Sequence, residues 1–277
     1  IDLLKKSAGS LPAEREKYLD TLSRAIIWPY MLITAVLLLL PFILRAAKLP
    51  AVQISKNENG HLDPVKKKRT QIFLGFAAVF FAVGVEVISG DTISNYGTYQ
   101  GINLSIVKYL ASATLGAMLL GYLAGSFCIP KYFTQEKAFL VCSALGFIDS
   151  VIIIFVPGIT SVVLLALAGF FNAMLWPVIW PHALKNLDNS QINKASALLI
   201  MGIAGGALLP LLYGYFTTII GNQYAYTVLM PSYFFLFLYG LNIMNTEKRE
   251  KAYRRSANDN ELPVVADINK TSHVLKK

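Results

Sequence analysis

Apolar residues in this chain come in blocks of about 20, and the residues between the blocks are short, polar and basic. A bilayer core of ~30 Å takes about 20 apolar residues as helix, so each block reads as one membrane span. The pattern predicts a first span over about 25–47, including the run Val36-Leu37-Leu38-Leu39-Leu40. It predicts six more over about 71–92, 104–127, 138–156, 160–184, 195–219 and 224–244. The fold class is therefore all-α, with about seven transmembrane helices. Residues 1–24 are polar and helix-prone, with Glu14 and Glu16 ahead of Lys17 after Pro12. From Thr246 the chain is polar again, and residues 246–277 read as a disordered tail.

Composition agrees with the blocks: 55% of the 277 residues are hydrophobic and only 15% charged, which is outside the range of soluble domains. The net charge of +9 suggests a nucleic-acid partner only until its placement is considered. Lys66, Lys67, Lys68 and Arg69 follow the first span, Lys131 and Lys137 the third, Lys185 and Lys194 the fifth, and a basic tail the seventh. The alternate loops are poor in lysine and arginine. Basic loops stay in the cytoplasm, so the C-terminus is expected inside and residues 1–24 outside. Cys128 and Cys142 have neither metal spacing nor a disulfide framework and read as small hydrophobes. The chain starts at Ile1 rather than Met, which leads us to expect an upstream part missing from this sequence.

Two acids lie inside the apolar blocks, Glu86 and Asp149. Intramembrane charge is expensive and usually functional. Glu86 reads either as a carboxylate facing a polar cavity or as a neutral acid bonded to a neighbouring helix. Asp149 reads as neutral and helix-bonded. Asn172 and Trp176 are four apart, so they share a helix face. An amide and an aromatic ring suit a sugar's hydroxyls and CH faces; an interhelical bond and a packed ring would place the same residues. Asn95 and Tyr96, at the end of the Glu86 span, fit the mouth of a cavity. Gly205, Gly206 and Pro210 read as a bend with a conformational role, whereas Gly121 and Gly125 suit close helix contact.

The runs Phe81-Ala82-Val83-Gly84-Val85-Glu86-Val87, Phe170 through Trp180, and Ser196 through Pro210 resemble the fucose/glucose/galactose–proton symporter family of the major facilitator superfamily. Gly121 to Gly125 followed by Pro130-Lys131-Tyr132-Phe133 is similar to that family's motif after its eighth span. The resemblance implies two six-helix halves with substrate bound between them at the midplane. This chain would supply the sixth span (25–48), the central cytoplasmic loop (49–70) and the C-terminal six-helix half (71–245), with the first five spans absent. It further implies hexose or deoxyhexose uptake by alternating access in a bacterial inner membrane. The proton is then the coupling ion with no other cofactor, the remaining half of the transporter is the partner, and Glu86, Asn95, Asn172 and Trp176 are substrate-binding. A seven-helix receptor with its N-terminus outside is the alternative. No nucleophile elbow or metal-ligand spacing supports an enzyme.

Overall fold

The computed structural model describes residues 24, 27–39, 42, 45, 65–129 and 131–274. The chain divides into two compact units, Ile1–Asn59 and Gly60–Lys277. In the first unit an apolar helix, α1 (Ile27–Leu39), lies within the first expected span. Nearly all of the polar segment expected over 1–24, and most of the loop expected over 49–70, fall outside the described residues.

The second unit begins with α2 (Val65–Asp91) and α3 (Ile93–Tyr99), followed by α4 (Leu104–Val107) and α5 (Leu110–Cys128). Next come α6 (Gln135–Phe155), α7 (Ile159–Asn172), α8 (Trp176–Leu184) and α9 (Asn189–Met201). A 3-10 turn, Gly202–Ala204, leads into α10 (Gly205–Ile220), and another, Tyr224–Val228, into α11 (Leu229–Val274). Together these elements make six stretches long and apolar enough to cross a membrane: Lys68–Asp91, Leu104–Cys128, Gln135–Phe155, Ile159–Leu184, Gln191–Ile220 and Tyr224–Ala252. Each lies within a few residues of a block seen in the sequence.

The breaks within spans have local causes. Proline lacks an N–H and its ring crowds the carbonyl four residues back. Pro177 accordingly projects its disturbance onto Ala173, and α7 stops at Asn172 before α8 resumes at Trp176. Asn103 opens α4 by accepting from the Ser105 backbone N–H at 3.0 Å. Thr134 caps α6 by accepting from the Lys137 N–H. Gly158, at φ +76°, turns the chain into α7 in a conformation that side chains with a Cβ resist.

Helix α2 is the hub of the bundle, packing against α7, α8, α9, α10 and α11. Its Val79, Ala82, Val85 and Ile88 are fully buried or nearly so. Backbones meet where glycine removes the side chain. A Cβ on Gly202 would lie 2.9 Å from the Phe76 carbonyl oxygen of α2, and one on Gly205 would collide with the Phe80 carbonyl. Gly121 sits in the same way on the end of α7, where a Cβ would come within 2.6 Å of the Phe170 oxygen. Such contacts are how helices associate in lipid, where no hydrophobic drive separates helix from tail.

Helix α11 departs from the sequence reading at its far end. It runs 46 residues to Val274, across the stretch expected to be a disordered tail. Just past the membrane segment, Lys185 bonds both Glu247 and Glu250 and ties this part of the helix to the end of α8. Lys251, four residues after Glu247, adds an i,i+4 pairing of the kind that supports a polar helix.

Candidate functional site

The polar interior is built around α2. The Tyr233 hydroxyl of α11 donates to Asn172 Oδ1 at 2.7 Å, and Asn172 Nδ2 donates to Ser89 Oγ at 3.1 Å. Ser89 in turn donates to the Glu86 carbonyl at 2.9 Å. Tyr233 is fully buried, and Asn172 is 2% exposed. This seam joins three helices through groups 61 and 83 residues apart in sequence. Asn172 therefore engages protein at both ends of its amide. It holds the helices together, as in the second of its two sequence readings.

The seam also sets depth. Glu86 lies three residues before Ser89 on α2, and Trp176 four residues after Asn172 on the antiparallel α7–α8. At ~1.5 Å per residue both are displaced toward the Val65 end of α2, by about 4–6 Å. Glu86 and Trp176 thus occupy nearly the same level. Glu86 is half-buried, and its carboxylate has no hydrogen-bond or ion-pair partner among the described residues. Tyr122 of α5, an exposed tyrosine, lies near enough to interact electrostatically with it. The Trp176 and Trp180 rings lie with centroids 5.7 Å apart, half-buried against the core. An unpartnered carboxylate and an indole pair at nearly one level, with a phenol nearby, are groups that recognise a polyhydroxylated ring with apolar faces. Sequence reasoning missed Tyr122, because tyrosine is common in apolar spans and only packing shows which ones stay uncovered.

Several expectations change. Asn95 is exposed, but Tyr96 is 1% exposed and donates its hydroxyl to Ser161 at 2.8 Å, so it packs helices together rather than lining a mouth. Asp149, expected to be helix-bonded, is 4% exposed, and neither carboxylate oxygen has a hydrogen-bond partner. Gly205 is buried in contact with α2, and Gly206 would place a Cβ 3.0 Å from Val83 Cγ1. Pro210 lies inside α10, and the helical path is interrupted just before it, at Gly202–Ala204. The two glycines pack closely on α2, and an irregular turn adjoins them.

Both ends of the bundle are closed by a glutamine. Gln71 Nε2 donates to the carbonyls of His182 at 2.7 Å and Lys185 at 3.0 Å, satisfying the end of α8. At the opposite end Gln223 Nε2 donates to the Ile153 and Val156 carbonyls, each at 3.0 Å, and so closes α6. Beside Gln71, ligand-type atoms of Glu136, His182 and Glu247 lie within 4.8 Å of one another. Lys185 already occupies Glu247 and Glu250, so the group is an ion-pair cluster. Burial alone would lower the Lys185 ammonium, but its bonds to Glu247 and Glu250 outweigh that and hold it above the ordinary lysine value.

The described residues form a helical bundle with six stretches long and apolar enough to cross a membrane. The fold is that of the major facilitator superfamily: a solved transporter of that superfamily, FucP in the outward conformation, superposes with a TM-score of 0.68 at 20% identity, over 87% of this chain and 59% of that one. Sequence relatives agree with the resemblance read from the motifs. A glucose/galactose transporter of Brucella abortus (strain 9-941) is 26% identical over 83% of this chain and 57% of its own length. The L-fucose-proton symporter of Escherichia coli K12 is 21% identical over 80% of this chain and 51% of its own. This chain thus spans about half the length of the curated relatives it matches. No family model matches it.

Proposed function

We propose that this chain is the C-terminal half, with the preceding span, of a proton-coupled transporter that takes up a hexose or deoxyhexose by alternating access. The observation that carries this reading is the level shared by Glu86 and Trp176, with Tyr122 near Glu86, on a bundle folded like a solved superfamily transporter. Glu86 accepts hydrogen bonds from sugar hydroxyls, Tyr122 adds a further polar contact, and Trp176 stacks on the apolar face of the ring. The other half of the transporter covers this level and completes the cavity. Basic loops place the C-terminus in the cytoplasm of a bacterial inner membrane. The named relatives include a glucose/galactose transporter and an L-fucose-proton symporter, which supports a substrate of that class. The receptor alternative finds no support among them.

The test uses the full-length transporter in proteoliposomes, with radiolabelled fucose, glucose and galactose supplied outside at acidic pH over a more alkaline lumen. At least one sugar should accumulate, a protonophore should abolish the accumulation, and Glu86→Gln should reduce it by tenfold or more. Uptake that ignores both the gradient and the substitution would overturn the reading.

A further inference from the structure

We propose that Asp149 is a proton-binding site separate from Glu86, and that its charge state is tied to the closure of α6 on α11. The sugar site proposed above does not use this residue. Asp149 is 4% exposed and both of its carboxylate oxygens lack a hydrogen-bond partner. An ionised carboxylate out of water is tolerated when it is paired or well hydrogen-bonded. Asp149 has neither.

The surroundings offer no compensation from any side. Helix α11 presents Tyr233, whose hydroxyl is already donated to Asn172. Cys142, two turns earlier on α6 itself, is a buried free thiol. Helix α7 carries no titratable side chain. Tyr226 of the adjoining 3-10 turn bonds Thr92, and His182 of α8 lies beside Glu247 in the ion-pair cluster. Among the described residues no lysine, arginine or histidine is paired with this carboxyl, so the packed arrangement selects the neutral acid.

Closure and protonation are then linked. Gly146, one turn before Asp149, lets α6 lie directly on the Tyr233 ring, where a Cβ would come within 2.7 Å of Cδ1. Parting α6 from α11 admits water to the carboxyl. The O–H bond breaks, the proton passes to water, and the charge remains on Asp149. Because the packed state binds the extra proton, it is favoured at low pH and weakened as pH rises. In a proton-driven transporter this gives the C-terminal half its own coupling element, a consequence that rests on the transport reading above; the proton site itself does not.

The experiment is difference infrared spectroscopy on the full-length transporter in lipid, with aspartate carboxyls carbon-13 labelled. A protonated-carboxyl band that shifts with the label should be present at neutral pH and bleach on alkalinisation. It should vanish in Asp149→Asn and persist in Glu86→Gln. Asp149→Glu should keep the band but lose its response to aspartate label, which covers the case in which the asparagine variant fails to insert. In the transport arm, Asp149→Asn should retain sugar counterflow and lose tenfold or more of gradient-driven accumulation. A labelled band unchanged by Asp149→Asn, or accumulation unchanged in that variant, would overturn the proposal. Absence of sugar transport by the unaltered protein would instead sink the functional reading, with the infrared result still deciding the proton site.

Discussion

The Tyr233–Asn172 bond gives a quantitative test of how this bundle is held together. Replacing Tyr233 by Phe removes the donated hydrogen bond with little change in volume. Buried hydrogen bonds contribute about 1 kcal/mol net, and those measured between membrane helices average about 0.6 with a ceiling near 1.7. Tyr233→Phe should therefore destabilise by about 1 kcal/mol. Asn172→Leu keeps the approximate bulk but leaves the Tyr233 hydroxyl, which is fully buried, without its acceptor, and should cost about 1–3 kcal/mol. Ser89 is not orphaned, because its hydroxyl still donates to the Glu86 carbonyl. The double variant removes the stranded hydroxyl, so its loss should fall short of the sum of the single losses by about 1 kcal/mol. Unfolding of the purified full-length protein in mixed micelles, followed by circular dichroism across a denaturing-detergent series, measures all four corners of the cycle. Additivity within about 0.5 kcal/mol would refute the reasoning, since independent sites behave that way. A loss of sugar affinity in Asn172→Leu without any coupling to Tyr233 would show that the amide faces substrate after all.

Two further expectations follow from the close contacts and the helix ends. Gly205→Val should cost several times more stability than Gly214→Val: the first drives a side chain into the Phe80 carbonyl, whereas a Cβ at Gly214 meets no atom within 4 Å. Overpacking of this kind costs about 1–3 kcal/mol or more, and thermal inactivation of the two variants side by side would measure it. Gln71→Leu should strip the α8 terminus of its donors, cost about 1–2 kcal/mol, and raise amide hydrogen exchange at the end of α8 while leaving the end of α6 unchanged.

Much of the fold was legible because membrane spans are written in blocks, and a block of apolar residues has few other ways to be satisfied. The interruption before Trp176 was half legible, since Pro177 announces a disturbance but not which residues leave the helix. The turn at Gly202–Ala204 was half legible: the glycines and Pro210 announced a bend nearby, but its place reflects glycines pressed onto α2. Glu86 could be picked from the sequence because charge in an apolar run stands out. Asn172 could not be assigned, because its two partners lie 61 and 83 residues away and only the packed bundle brings them to it. For Asp149 the packing supplies no bonding partner, which no local sequence signal could show.

The glutamine at the start of α2 also bears on the order in which the protein can assemble. Gln71 is among the first residues of its helix to leave the ribosome, yet its acceptors at His182 and Lys185 lie 111 and 114 residues further along the chain. During synthesis α2 enters the bilayer with that amide seeking other company, water or lipid headgroups, until the fourth span of the half has been inserted. The hub helix is thus early to arrive and late to be fixed. A translation arrest placed between α6 and α8 would leave it free to rotate in the membrane, and would expose the glutamine end to cross-linkers that the finished bundle excludes.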